Sequence, residues 1–479
     1  MSATRSAGRA PTRGIPRPPP LQDAGGDLHR VLLIAASGFV LAMFAGALYD
    51  IRFLPAFLAL GTLLCVGVAV IRFPVVTSAA WLLLAGTSPE MWLGDLIGNA
   101  GTITAVVKLL GLALLAVCLV RYGGRFDRFN PALAYVAMFV IGLMHGLWPT
   151  LTLMGSVRSL IGSAAPFAFA FSRLSRRWCN AIITATIWNP SVIIGYGVVL
   201  AVLHLRPLFT SVAGSVRLEG STHPAFLGGF AAAAIYAALV ELYRDGRSRH
   251  VWAIAINYVI LFLSGARAPL AAALLVTAVA FFFLRSDAFQ ARRRLPFLLA
   301  GALAAPLLAA VATGSSSIRL LNVLSSNAEN LSGRNLIWPL FERAWDSSPL
   351  FGWGIGAGKE VLDPDSLLAK LLGTTAAHNE YLRMGVDGGW FGLGLLVLTM
   401  ALWAWWWTRT APRTDRFIMR MVFIAFAIHS STDNTLIAAT ASVMFTWVSA
   451  VFARAALERA AAETASAAAQ RQQHAAQIA

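Results

Sequence analysis

One histidine and three arginines carry most of the chemistry this sequence can offer. His378 lies in AAHNEYLRMGVDGGWFGLGLL (376–396), directly ahead of a long apolar run. An imidazole, with an ordinary pKa of about 6.5, accepts a proton near neutrality. Arg217 (SVRLEGSTHPAFLGG) and Arg267 (LSGARAPL) each precede an apolar run, and Arg334 (SGRNLIWPLFERAW) lies in the hydrophilic stretch between runs. A planar guanidinium binds phosphate oxygens bidentately. Arginines gathered at the edge of apolar surface therefore suit a phosphate-bearing lipid. The plainer role of any one of them is to snorkel to the interface or cap a helix end. Glu380, two residues beyond His378, can orient the ring or face solvent. His223 and His429 are rival bases, and Lys108 either snorkels or adds positive charge to a phosphate site.

The elements that must hold these residues are membrane helices. Of 479 residues, 58% are hydrophobic and only 13% charged, with a mean hydropathy of +0.68. That balance predicts an all-α polytopic membrane protein. A spanning helix needs about 20 mostly apolar residues. Candidate runs lie near 31–49, 53–72, 74–88, 102–120, 132–150, 156–172, 180–204, 225–243, 249–263, 267–285, 295–313, 389–408, 417–431 and 436–455. Because a few are short, 12–14 transmembrane helices are expected. Residues 1–30, rich in Arg, Pro and Gly, read as a disordered cytosolic tail. Residues 31–313 and 389–455 carry the helices, 314–388 form one long outer loop with short helices, and 456–479 form a second cytosolic tail.

The net charge of +16 is mostly topogenic. Five alternate loops, 121–128, 173–177, 244–249, 285–294 and 409–416, hold sixteen arginines, whereas the opposite short loops hold only Arg52, Arg206, Arg217 and Arg267. The positive-inside rule then puts both termini in the cytosol and the 314–388 loop outside. Nucleic acid is not needed to explain the basicity. The three cysteines have no paired spacing, so neither a disulfide framework nor a zinc site is implied. GWGIGAGKE (352–360) lacks the Ser/Thr that a phosphate loop places after its lysine, and EVLDPD (360–365) reads as solvated loop rather than a metal site. No Asp or Glu falls in the middle of an expected span, which argues against an ion-coupled carrier.

The ordered set SGRNLIW, SPLFGWGIG and AHNEYLRMGVDGGWFGLGLL, preceded by RLEG (217–220) and SGAR (264–267), resembles the O-antigen ligase and O-antigen polymerase superfamily. The detailed resemblance covers about 210–400. It implies a GT-C-like glycosyltransferase of the bacterial inner membrane, active on the periplasmic side. Its donor would be a glycan on undecaprenyl diphosphate, and its acceptor the lipid A core or a growing polysaccharide. The resemblance also implies that His378 is the catalytic base, that Arg217 and Arg267 bind the diphosphate, and that Arg334 is the loop arginine. The reaction would invert the anomeric centre with no metal and no cofactor. The rival expectation is a flippase or exporter of lipid-linked glycan, which would need basic residues lining a deep central cavity. Only Lys108 lies that deep.

Overall fold

The computed structural model describes residues 54–97, 100–212, 215–284, 334–436 and 439–478. The tail 1–30, the runs near 31–49 and 295–313, the arginine loop 285–294 and residues 314–333 lie outside the described residues. Among the described residues α1 (Leu54–Arg72) belongs to one unit, and those from Phe73 onward belong to a second.

The second unit is helical, with one small hairpin. In chain order it contains α2 (Pro74–Gly86), α3 (Pro89–Ile97), α4 (Ala100–Tyr122), α5 (Ala132–His145) and α6 (Leu153–Ala164), which continues as a 3₁₀ segment, Ala165–Phe171. Then come α7 (Arg176–Val202), the antiparallel strands β1 (Phe209–Val212) and β2 (Ser215–Leu218), α8 (Pro224–Asp245), α9 (Ser248–Ser264) and α10 (Arg267–Phe283). After the undescribed stretch follow α11 (Arg334–Asp346), the short α12 (Leu367–Leu372), α13 (Glu380–Thr408), α14 (Arg413–Ser430) and α15 (Ala439–Ile478). Among the described residues five helical segments are long and apolar enough to cross a membrane: Leu153–Phe171, α7, α8, α13 and α15. The chain is thus an all-α multi-pass membrane protein. The hairpin and α3 had no counterpart among the expected elements, because segments of four and nine residues are too short to show a period.

α8 is the central helix. Its run FAAAAIYAAL is buried along its length, and α7, α9, α10, α14 and α15 all pack on it. Lipid tails are as apolar as Leu, so membrane helices gain by close approach of small side chains rather than by escaping water. The alanine face supplies that approach.

The loop that precedes α13 is docked onto a break in that helix. At Gly389 the backbone leaves helical geometry, with φ 60° and ψ −165°. The break removes intrahelical partners, and non-helical backbone at membrane depth survives only where protein satisfies it. The stretch 347–359 does so. Trp390 N donates to Pro349 O (2.8 Å), Phe391 N donates to Leu350 O (3.0 Å), and Trp353 N donates to Val386 O (2.9 Å). Only glycine fits the contact: a Cβ on Gly389 would lie 2.3 Å from the Leu350 carbonyl carbon, and one on Gly352 would lie 2.6 Å from Gly388 N. A small core completes the docking, with Ile337 and Phe341 of α11, Leu151 ahead of α6 and Val386 of α13 buried together. The tryptophans of the loop do more than sit in an interfacial belt. Trp338 Nε1 donates to Ala377 O (2.8 Å), Trp353 Nε1 donates to Ala344 O (2.9 Å), and Trp345 covers Gly385.

Gly389→Ala should destabilise the detergent-purified protein by at least about 1–3 kcal/mol, through both backbone strain and overpacking. Gly394→Ala, on the same helix but with nothing within 4 Å of its added methyl, should be neutral. Thermal unfolding of the two variants checks this, and equal midpoints would contradict it.

Candidate active site

The segment HNEYLRMGVD assigns a different job to each polar residue. Asn379 is the N-cap of α13, its Oδ1 accepting from Tyr381 N (3.0 Å) and Leu382 N (3.3 Å), as short polar side chains do at helix starts. Glu380, Arg383 and Asp387 follow at i, i+3 and i+7 and form a buried ionic ladder. Glu380 pairs with Arg383, and Arg383 Nη1 reaches Asp387 Oδ2 at 3.1 Å, with all three side chains at most 3% exposed. Asp387 Oδ1 then accepts the N–H of Gly358 (2.7 Å). The glycine-rich GWGIGAGK turn therefore cradles an anion, but the anion is the protein's own Asp387. Lys359 next to it donates to Ser159 Oγ (3.3 Å), and burial followed by the nearby Arg383 pushes its ammonium pKa down.

His378 is held in front of that helix in a left-handed conformation, φ 49°, which is uncommon for a residue other than glycine. Trp338 grips the preceding carbonyl. Its ring is partly open, with a side-chain exposure of 37%, and its two nitrogens face different partners. Nδ1 lies 3.4 Å from Asp433 Oδ1, and Nε2 lies 3.2 Å from Thr374 Oγ1. An ionised carboxylate can only accept, so Nδ1–H donates to Asp433, and in the neutral ring Nε2 is then the acceptor. Asp433 sits in the turn between α14 and α15, where His429 Nε2 approaches its other oxygen at 3.7 Å. Burial opposes ionisation of Asp433, but the hydrogen bond from His378 and the close approach of His429 outweigh it and hold the carboxyl well below the usual range.

The sequence-derived site residues divide accordingly. Glu380 does not orient His378. It is drawn into the ion pair with Arg383, and the carboxylate at the ring is Asp433. Arg334 Nη2 donates to Thr432 O (2.8 Å), which fixes the turn that carries Asp433. Arg217, on β2 and 8% exposed, donates through Nε to Ser264 O (2.9 Å) at the end of α9. Gly265 reverses the chain there with φ 65°, and Arg267 opens α10 as an exposed residue. The two arginines are thus tied to one turn, and α10 packs against α14, the helix that ends at His429 and Asp433. His223 is the N-cap of α8, its Nδ1 accepting from Ala225 N (3.2 Å). Burial and then Arg217 push its pKa down, and Asp433, His378 and Arg206 lie within electrostatic reach of it. Arg217, His223, His378 and Asp433 therefore converge on one region, though His223 spends its basic nitrogen on the cap. Among the described residues no group of three His, Cys, Asp or Glu side chains could hold a metal ion.

Residues 251–397 match the model of the O-antigen ligase family. That segment is similar to the O-antigen ligase domain and covers less than a third of the chain. No curated relative matches it. The matched segment runs from α9 into α13 and contains Arg267, Arg334, His378 and Glu380, whereas Arg217 and Asp433 lie outside it. The match agrees with the motif order in the sequence and supports a function of the ligase and polymerase type in general. Asp433 had one sequence signal, a histidine four residues earlier in HSSTDN (429–434). Nothing in the sequence joined that pair to His378, 55 residues away.

The depressed pKa of Asp433 has a stability consequence. Its contribution is fully present above the unfolded carboxyl value of about 3.9 and is lost as the pH falls through the lower native value. Asp433→Asn should unfold at lower temperature than wild type at pH 7, and the gap should close as the pH falls below about 4. A gap independent of pH would contradict the assignment of Asp433 as the ionised partner.

Proposed function

We propose that the protein transfers a glycan from a polyprenyl diphosphate to a hydroxyl acceptor at the outer face of the inner membrane, with His378 as general base. The observation that carries this reading is the His378–Asp433 pair. In the neutral ring it makes Nε2 the proton acceptor, and Nε2 lies beside a hydroxyl, that of Thr374 (3.2 Å), which stands in for an acceptor hydroxyl. Nε2 takes the proton of the acceptor, and its oxygen attacks the anomeric carbon. The diphosphate departs from the opposite side of the sugar ring, so the configuration inverts. Asp433 stabilises the imidazolium that forms, as a carboxylate does behind a catalytic histidine.

Negative charge grows on the leaving diphosphate. Arg217 and Arg267, held at the α9–α10 turn, are the groups assigned to meet it. Fixed cations in a site poor in water stabilise such charge without reorganising. Arg334 acts at one remove, by holding the Asp433 turn through Thr432. The acceptor is a lipid A core sugar in a ligase or the next lipid-linked repeat in a polymerase, and the same chemistry serves both.

His378→Ala should lower kcat about 10²–10⁴-fold, the usual worth of a general base, with KM for the lipid-linked donor nearly unchanged. Arg267→Ala should cost about 10²–10³-fold, and Arg267→Lys should recover part of it, since a point charge lacks the planar fork. Transfer measured on purified protein with a polyprenyl-diphosphate glycan checks both. Near-native kcat in His378→Ala would remove the base from the scheme.

A further inference from the structure

The end of α13 and α14 remote from His378 has a composition the transfer reaction does not use. Between these helices runs a groove of about 380 Å³. Val397, Met400, Phe423 and Ile424 are among the apolar side chains along it, and exposed Ala401 keeps it open. One end reaches Tyr381, whose hydroxyl donates to Ala427 O (2.8 Å) and ties the two helices together. The other end finishes at Arg420, whose guanidinium lies 4.2 Å over the Trp405 ring and whose Nε donates to Thr408 Oγ1 (3.0 Å).

That end is strongly cationic. Arg409, Arg413, Arg416 and Arg420 fall within twelve residues that contain a single acid, Asp415. Asp415 is already engaged by Arg244, which also holds Glu458. Glu463 is taken by Arg459, and Asp127 accepts from the indoles of Trp403 and Trp407. Arg409 and Arg128 both lie on Trp406, at 3.4 and 4.2 Å. The acids of this region are thus committed elsewhere, while arginines and tryptophans crowd the mouth of a hydrocarbon-sized groove.

We infer that this groove binds an anionic phospholipid of the cytosolic leaflet, with an acyl chain between α13 and α14 and the headgroup phosphate at Arg420. The arginine bias puts this end in the cytosol, where the leaflet is negatively charged and basic side chains attract its headgroups. An uncharged lipid would fill the groove but offer no anion to Arg420, which lines that groove and lies beyond the topogenic loop 409–416. A polyprenyl diphosphate would need its charge at the opposite end, beside His378. The inference therefore stands whether or not the transfer reaction is the right one.

The test is native mass spectrometry of the delipidated full-length chain, titrated with phosphatidylglycerol, phosphatidylcholine or undecaprenyl phosphate. Wild type should bind one phosphatidylglycerol about 5- to 10-fold more tightly than phosphatidylcholine, the scale of one to two arginines near a headgroup. Arg420→Gln should erase that preference, Arg420→Lys should keep it, and Ala401→Trp, which fills the groove, should weaken phosphatidylglycerol binding. Thermal unfolding without added lipid checks that each variant is folded, and Arg420→Lys with Ala401→Trp suffices if the glutamine variant is not. Equal affinity for the two phospholipids, a preference untouched by these substitutions, or an affinity for undecaprenyl phosphate that Arg420→Gln and Ala401→Trp weaken more than they weaken that for phosphatidylglycerol would overturn the inference.

Discussion

A helix cannot be interrupted in a membrane unless something else satisfies the backbone groups it sets free. In this protein α13 is interrupted at Gly389, and the loop that precedes it fills the gap with the carbonyls of Pro349 and Leu350 and the N–H of Trp353. The same loop wraps its glycine-rich turn around Asp387, and Asp387 closes the ladder through Arg383 to Glu380. Loop and helix thus hold each other. A buried ion set is weak evidence for stability, but removing one member strands the others. The ladder therefore fixes the register of loop on helix more than it strengthens the fold.

The position of His378 follows from that docking. It is the residue just before the Asn379 cap, at the point where the docked loop becomes α13, and Trp338 of α11 holds the carbonyl behind it. Its partner Asp433 arrives from a different part of the chain, the α14–α15 turn, which Arg334 secures through Thr432. The residues brought near one another come from three segments: the loop with His378, the α14–α15 turn with Asp433, and β2 with Arg217, which His223 adjoins. Each segment contributes a group of the kind that transfer from a lipid diphosphate requires.

The helices were readable in the sequence because membrane spans declare themselves by length and apolarity alone. The runs at 180–204, 225–243 and 436–455 reappear as α7, α8 and the first part of α15. His378 and the arginines were readable because charged groups at the edges of apolar runs are costly and few. For Glu380 the sequence left two roles open, orienting His378 or facing solvent, and the structure pairs it instead with Arg383. In a strand two residues of separation share a face, but Glu380 is the first residue of α13, and on a helix its neighbour is the residue three or four further on, which is Arg383. Asp433 was illegible as a partner for the converse reason: only the packing of α13 against α14 brings it near, and one sequence carries no record of that packing. The GWGIGAGK turn shows a third case. Its glycines do serve an anion, but the anion is internal, and no spacing rule distinguishes Asp387 from a ligand.

The central claim is that His378 and Asp433 act as one unit. The most direct measurement is a double-mutant cycle on kcat with His378→Ala, Asp433→Asn and the pair combined, using purified protein and a polyprenyl-diphosphate glycan. Residues that work through a single group are strongly non-additive. The account predicts that Asp433→Asn lowers kcat on its own and costs nothing further once His378 is gone. Losses that multiply in the double variant would show that Asp433 acts independently of the histidine, and would contradict the account.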